Sequence, residues 1–401
     1  MNSGSIVVGL DVGTTKICAV VGEVTEDSID ILAVGTSPSI GLRKGMVISI
    51  ESTAESIKKA VQEAESRVGV EIRAVYVGIT GGHIKVFKSY GAVGIKGKEV
   101  TPLDIERVID SAKAVYVPLD REVLHIIPTE FILDGQDGIK NPVGMIGRRL
   151  EAKVHIITGA VTSVHNLLKC CEKAGLEVID IVFEPLASAE ATLTHNEKEL
   201  GVALIDMGGG TTDIVLYKDG WLRHTSILTI GGNHLTNDVA VGLRIPVSEA
   251  ERIKKSFGSA TASMVGDSEE IDISQGGQLR RIPRRYLSEI IQPRCEELLE
   301  LIKGELNACS GYDIAASGVV LTGGASLLNG LDRMTETILG LPVRMGIPEN
   351  GGANINSPIY ATGVGLVLYG LETEYRSYMT YGDNFTGIFG RMKGWVMEIF
   401  R

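Results

Sequence analysis

A chain of 401 residues with 44% apolar and 22% charged residues exceeds what one hydrophobic core usually serves, so two well-packed domains are expected. A net charge of −11 with no basic stripe argues against a nucleic-acid binder. Five cysteines, with no Cys-x-x-Cys spacing and one adjacent pair at Cys170 and Cys171, suit neither a disulfide framework nor a zinc site, which points to a reducing cytoplasm. The opening residues lack a basic and apolar leader, and no apolar run is long enough to span a bilayer, so the chain reads as neither secreted nor membrane-spanning.

In chain order, the segment Val8 to Ile17 reads as an apolar strand that ends at Asp11, turns through Gly13, Thr14 and Thr15, and re-enters a strand at Lys16. Strands near 17–23 and 29–36 follow, then a helix from Ser49 to Val68 with Ile57, Val61 and Ala64 on one face, and a strand from Ala74 to Ile79 leading into Gly81 and Gly82. From Ile84 the pattern becomes a compact unit. It holds strands near 84–95, a helix from Pro102 to Ala114 opened by Thr101, and strands near 123–133 and 151–158. Phe183 to Ala191 reads as a helix of small residues.

The segment Leu204 to Leu216 then repeats the first hairpin: an apolar strand, Asp206, Gly208, Gly209, Gly210, Thr211, Thr212, and Asp213 opening the return strand. Glycine lets backbone N–H groups approach a phosphate, threonine hydroxyls add donors, and a carboxylate at the strand end can hold a hydrated cation. One such turn is weak evidence, since Gly-rich hairpins are common for geometric reasons. Two that both open with Asp, about 195 residues apart, are strong evidence for a phosphate site.

Beyond the second hairpin stand Gly231, Gly232 and Asn233, and then a helical stretch from Ser248 in which Glu251 can meet Lys254 or Lys255 at i, i+3 or i, i+4. A polar stretch from Gly258 to Gly277 is expected to form a loop and edge hairpin. After it, Arg280, Arg281, Arg284, Arg285 and Arg294 make a local basic patch on an acidic chain, which a solvated charged helix start would also explain. Gly318 to Leu327 is a buried strand followed by Gly323, Gly324, Ala325 and Ser326 at the entry of a helix, and Ser357 to Leu366 is another helix with Ala and Gly on its surface. Residues 372–384 are polar, with a break at Gly382, Asp383 and Asn384, and read as a linker.

The last segment, 385–401, is amphipathic. On a helical wheel Phe385, Ile388, Phe389, Met392, Trp395, Val396, Ile399 and Phe400 share an arc of about 140°, flanked by Arg391 and Lys393. That is the arrangement of a helix lying in a membrane interface with basic residues reaching toward headgroups. A last core helix or a partner-binding helix is the alternative.

The five motifs in this order resemble the actin, sugar kinase and heat-shock chaperone superfamily, in which two similar α/β domains of the RNase H-like type face a nucleotide cleft. The resemblance implies ATP and Mg²⁺. Asp11, Asp206 and Asp213 would hold the ion mostly through water, and Gly13 to Lys16 with Gly208 to Thr212 would cradle the phosphates. Gly231 to Asn233, Glu251, Lys254, Lys255 and Gly323 to Ser326 would complete the pocket. Glu184 takes the position of the carboxylate that orients water in related proteins. It is the candidate for hydrolysis.

The segments Ile126 to Gly135 and Asn141 to Glu151 resemble the small subdomain that marks the FtsA family. On that resemblance, domain 1 comprises 1–83 and 164–195 with an inserted subdomain at 84–163. Domain 2 comprises 196–371, with a subdomain at about 233–305, followed by the 372–384 linker and the 385–401 membrane-targeting helix. FtsA-like proteins hydrolyse ATP weakly at best, so the resemblance implies no more than that for Glu184. It also implies a peripheral protein of the inner face of the cytoplasmic membrane at the division site. It would polymerise with itself, bind anionic lipid, take the FtsZ C-terminal tail on the arginine patch, and meet other division proteins. A PilM-like pilus-assembly scaffold and a small-molecule kinase on the same fold are the alternatives.

Overall fold

β1 (Ile6–Val12) and β2 (Lys16–Val24) are apolar at consecutive rather than alternate positions, the pattern of strands covered on both faces, and both are buried almost throughout. They pair antiparallel from Ile6–Glu23 to Val12–Ile17, and β3 (Ile29–Pro38) extends the meander beyond β2. A short ribbon, β4 (Leu42–Arg43) and β5 (Met46–Val47), leads to α1 (Ile50–Val68). This helix begins where the Ser49 side chain accepts a hydrogen bond from the Ser52 N–H, and it stops at Gly69. β6 (Ala74–Ile79) then joins β1 in parallel. The protein is described by a computed structural model that covers residues 5–25, 29–114, 117–276, 278–349 and 355–379.

The compact unit read from Ile84 onward is a separate antiparallel sheet. β7 (Lys85–Gly94), α2 (Pro102–Lys113), β8 (Arg121–Leu133), β9 (Gln136–Ile139) and β10 (Arg149–Ala160) form it, with strand order β7-β10-β8-β9. Thr101 and Asp104 close a capping box at the start of α2. The helix packs so closely on β7 that a Cβ at Gly91 would meet the Val108 carbonyl at 2.2 Å. The small core of this unit, which includes Ile105, Val108, Phe131 and Leu150, also takes in Trp221 from the second half of the chain; Trp221 stands edge-on to Phe131 at 6.1 Å.

α3 (Val161–Lys173) and β11 (Glu177–Phe183) return the chain to the first sheet, whose order is β11-β6-β1-β2-β3. α4 (Glu184–Thr192) is buried on nearly all sides between the two halves, and α5 (His195–Leu200) follows on the surface. The second sheet comprises β12 (Val202–Met207), β13 (Thr212–Lys218), β14 (Trp221–Leu228), β17 (Val319–Thr322) and β18 (Val343–Met345), in the order β14-β13-β12-β17-β18. Each sheet is therefore an antiparallel meander of three strands extended by two parallel ones, in the same sequence.

Between β14 and β17 the chain builds α6 (Gly232–Leu243), α7 (Val247–Phe257), the hairpin β15 (Glu270–Gln275) and β16 (Gln278–Pro283), α8 (Arg284–Ala308) and α9 (Gly311–Ile314). α10 (Leu331–Leu339) lies between β17 and β18, and α11 (Ala361–Met379) closes the described chain. One face of the first sheet packs on α1 and α3 through residues such as Ile57, Ala60, Val164 and Leu167; the other packs on α11 through Val364, Leu366 and Val367. α4 and α11 cross closely: a Cβ at Gly365 would lie 1.8 Å from the Ala187 carbonyl oxygen. The small residues read at this crossing are required by backbone contact.

Two sequence expectations are revised. α11 continues to Met379, into the stretch read as a polar linker, because nothing between Glu372 and Met379 breaks a helix. The edge hairpin expected within Gly258 to Gly277 runs on through β16 to Pro283, so the arginine patch is divided between β16 and the start of α8. Residues 380–401, including the break and the amphipathic segment, lie outside the described residues. Among the described residues no helix is long and apolar enough to cross a membrane.

Candidate functional site

The ends of β1 and β12 bring their aspartates to one place between the sheets because both strands terminate at the same level of the duplicated topology. Asp11, Asp206, Asp213 and Glu184 are all buried. Asp206 and Asp213 are cross-strand partners, and Glu184 is the first residue of α4. The Ser188 hydroxyl donates to Asp206 at 2.6 Å, the Thr362 hydroxyl donates to the same oxygen at 3.4 Å, and the Thr80 hydroxyl donates to Asp213 at 2.9 Å.

These donors come from α4, the start of α11 and the turn after β6. Sequence reasoning passed over all three, although Ser188 and Thr362 sit inside motifs read only for their small size. A hydroxyl brought to an aspartate from a different element is not visible without the fold.

Burial pushes Asp11 up to about 6, with Lys16 opposing the rise and Asp206 adding to it. Burial also raises Glu184 well above the usual carboxylate range, reinforced by Asp11, Asp213 and Asp206. Asp213 is raised well above its usual value by burial and by Asp206. Asp206 is raised by burial, while the Ser188 and Thr362 hydroxyls and then Lys16 hold it back. A site with these carboxylates facing one lysine lacks positive charge, so the donor set fits a hydrated divalent cation. Among the described residues no three His, Cys, Asp or Glu side chains are arranged to ligate one ion directly, so contact would run through water.

Above the carboxylates the two Gly-Thr turns face each other. A Cβ at Gly209 would meet the Thr15 hydroxyl at 1.9 Å, and one at Gly210 would meet the Thr14 hydroxyl at 2.7 Å. Thr15 donates to the Asn233 side-chain oxygen at 3.3 Å, and Thr14 accepts from the Gly45 N–H at 3.0 Å. Lys16 donates to the Ile359 carbonyl at 2.7 Å and lies 4.7 Å over the Tyr360 ring, so its charge ties β2 to the start of α11. Thr212 is fully buried and donates to the Ile230 carbonyl at 2.9 Å, which fixes the turn before α6 rather than facing the cleft.

Gly231, Gly232 and Asn233 support the second turn: the N–H groups of Gly232 and Asn233 donate to the carbonyls of Gly208 and Gly209 at 3.0 and 2.8 Å. Glu251 pairs with Lys254 at 2.6 Å and Lys255 at 3.1 Å, while Lys254 also reaches the Gly232 carbonyl at 3.0 Å. Burial works against the charge of Glu251, yet the two lysines and the Thr236 hydroxyl hold its carboxyl below the usual range. Gly323 has φ of 81°, and a Cβ there would strike Asp206 at 2.3 Å, while Gly324 opens on free space with only Ile359 near. Ser326 donates back to the Gly323 carbonyl at 2.7 Å, and Ala325 faces Gly232. Of the residues read as phosphate and nucleoside contacts, Gly208 to Gly210 lie against Thr14, Thr15 and the Gly231 to Asn233 turn, and Gly232 lies against Ala325 and Lys254, while Thr212 is turned away from them.

The arginine patch lies elsewhere on the second half and is largely neutralised by its own fold. Arg281 pairs with Asp272 at 3.2 Å, Arg284 with Glu269 at 2.5 Å, Arg285 with Asp267 and with Glu289 at 3.5 Å, and Arg294 with Asp238 at 2.7 Å and with Glu297. Arg280 projects from β16 opposite Ile273. Exposed Leu279 and Tyr286 stand in the same stretch.

The family model described as "Cell division protein FtsA" matches residues 203–365, and that described as "SHS2 domain inserted in FTSA" matches residues 81–158. The chain is 44% identical to the cell division protein FtsA of Pseudomonas aeruginosa, covering 100% of this chain and 99% of that protein. It is 40% identical to the FtsA of Neisseria meningitidis, covering 98% of each. Among solved structures, the PilM-PilN type IV pilus biogenesis complex superposes with a TM-score of 0.67 at 19% identity, covering 91% of this chain and 98% of that one, a likeness of fold. The chain belongs to the FtsA family of cell division proteins and has the actin-like fold of that family, with its inserted subdomain.

Proposed function

We propose that the chain binds ATP with Mg²⁺ between its two sheets and uses the nucleotide as a switch for polymerisation at the division site. The observation that carries this reading is the convergence of Asp11, Glu184, Asp206 and Asp213 beneath two facing Gly-Thr turns. The ion would supply the positive charge that these carboxylates lack. Gly209 and Gly210, which lack side chains and now lie against the Thr15 and Thr14 hydroxyls, would face phosphate oxygens when the two turns part, Lys16 would add a point charge, and the residues Gly232, Lys254 and Ala325 would border the nucleoside. Burial, and then Asp11, Asp213 and Asp206, raise the Glu184 carboxyl well above its usual range, and a cation in the site would oppose that rise, which agrees with at most weak hydrolysis.

In this reading ATP closes the cleft, the closed form favours contacts between successive copies, and the polymer gains avidity for the inner face of the membrane through the arrayed 385–401 segments. The arginine stretch with Leu279 and Tyr286 would receive the acidic and apolar FtsZ tail, so that filaments of the partner are tethered to the membrane, with other division proteins recruited there. Incoming carboxylates would replace those that now pair with Arg281, Arg284, Arg285 and Arg294.

Flotation with anionic liposomes, with and without ATP, tests the whole reading. The full chain should float more strongly with ATP, Asp206→Ala should lose the ATP dependence, and a chain lacking 385–401 should stay at the bottom of the gradient. Flotation of the truncated chain would overturn the membrane assignment, and an unchanged ATP response of Asp206→Ala would overturn the assignment of the cleft.

A further inference from the structure

The turn between β4 and β5 touches both Gly-Thr turns. Gly45 donates its N–H to the Thr14 hydroxyl at 3.0 Å, and the Lys44 Cα lies where a Cβ on Gly210 would meet it at 3.0 Å. On its other side Gly45 backs onto the Thr80 carbonyl, in the turn whose Thr80 hydroxyl holds Asp213. Lys44 has φ of 52° and Gly45 φ of 74°, so both central residues of this two-residue connection are left-handed. Such turns favour Asn-Gly or Gly-Gly, because a long side chain gains nothing from the left-handed region and pays a steric penalty there.

Lysine at this position is therefore unexplained by the turn itself. It is half-buried, and among the described residues its ammonium has no hydrogen-bond or ion-pair partner. The cleft it borders holds Asp11, Glu184, Asp206 and Asp213, and Lys16 is tied to the Ile359 carbonyl at the far end of β2's turn.

We propose that Lys44 binds the terminal phosphate of a nucleoside triphosphate seated between the two turns and thereby distinguishes triphosphate from diphosphate. This deepens the ATP reading above and rests on it. The ammonium is carried on a backbone wedged between Thr14 of the first half and Gly210 of the second. Holding a γ-phosphate therefore draws the β4–β5 ribbon and both turns into one unit, a contact that a diphosphate, which lacks that phosphate, does not offer.

The test compares ATP and ADP affinities, each with Mg²⁺, by calorimetry for the full chain, Lys44→Gly and Lys44→Arg. Glycine suits the left-handed position, so Lys44→Gly should melt no lower than the unmodified protein. It should bind ATP about tenfold more weakly or worse while its ADP affinity moves by less than about twofold, as expected for loss of one charge-assisted contact. Lys44→Arg should recover part of the ATP affinity. An unchanged ATP-to-ADP ratio in Lys44→Gly, or an equal loss for both nucleotides, overturns the inference. If the unmodified chain binds neither nucleotide, the ATP reading fails first and takes this one with it.

Discussion

The first and second Gly-Thr turns have the same local design, an aspartate at a strand end followed by glycine and threonine, yet they are held by different means. The second is supported from within its own half: Gly232 and Asn233 at the start of α6 donate to its carbonyls, and Thr212 donates to Ile230. The first is held by longer reaches, with Lys16 bonded to Ile359 and Thr14 to Gly45. The second turn is therefore a fixed wall. The first depends on how α11 and the β4–β5 ribbon sit, which suits it to respond when the cleft opens or closes.

The largest effect should come from breaking the fixed wall. A Cβ at Gly231 would meet the carbonyls of Gly208, Thr211 and Gly209 at 2.6, 2.9 and 3.0 Å, all backbone that cannot rotate away. Gly231→Val should lower stability by roughly 3 kcal/mol and abolish measurable ATP binding. The counterpart Gly13→Val meets one carbonyl, that of Lys16 at 2.8 Å, and should cost about 1 kcal/mol. Equal losses in urea denaturation would erase the distinction between the two turns.

The aspartates of the two turns differ in the same sense. Asp206 has two hydroxyl donors, whereas Asp11 relies on Lys16 and is held near 6, above its usual value of 3.8. A carboxyl whose folded-state pKa is raised favours the folded state while protonated. Its contribution is therefore present below about 3.8 and is lost as pH rises through about 6. Asp11→Asn should stabilise the nucleotide-free protein at pH 8 by on the order of 3 kcal/mol, with little effect at pH 4, while removing Mg²⁺-dependent ATP binding. Melting midpoints of both forms across that range check the sign; a destabilised Asp11→Asn at pH 8 would mean that Asp11 is already compensated.

Smaller still is the effect expected for Lys16→Met. It removes the tie to Ile359 and a positive charge beside phosphate, so ATP affinity should fall about tenfold while stability drops by about 1 kcal/mol or less. Titration calorimetry and urea denaturation on one preparation would separate the two. The insertions of the two halves offer the mildest test. The insertion in the first half is a sheet tied to Trp221, and that in the second presents arginines already paired to carboxylates. Arg294→Glu should weaken binding of an FtsZ tail peptide about fivefold by fluorescence anisotropy and leave ATP affinity unchanged, because the surface pairs are worth little and only the exchange of partners is lost.

Much of the fold was legible because the signals are local. The strands read near 17–23 and 29–36 are β2 and β3, the helix opened by Ser49 is α1, and the one opened by Thr101 is α2, each set by an apolar period and a capping side chain. The repeat of Asp, Gly and Thr gave away the duplication before any sheet order was known. What stayed hidden depends on distance in space: Thr80, Ser188 and Thr362 gathered on two aspartates, and the neutralisation of the arginine patch.

The amino-acid sequence by itself determined the elements, the two aspartate-bearing turns and the small residues where α4 and α11 cross, because period, capping and turn chemistry act over a few residues. Only the tertiary structure decided which carboxylates share one buried volume, which lysine is tied down and which is left without a partner. Burial and charge coupling act through space between residues hundreds of positions apart, and no local pattern records them.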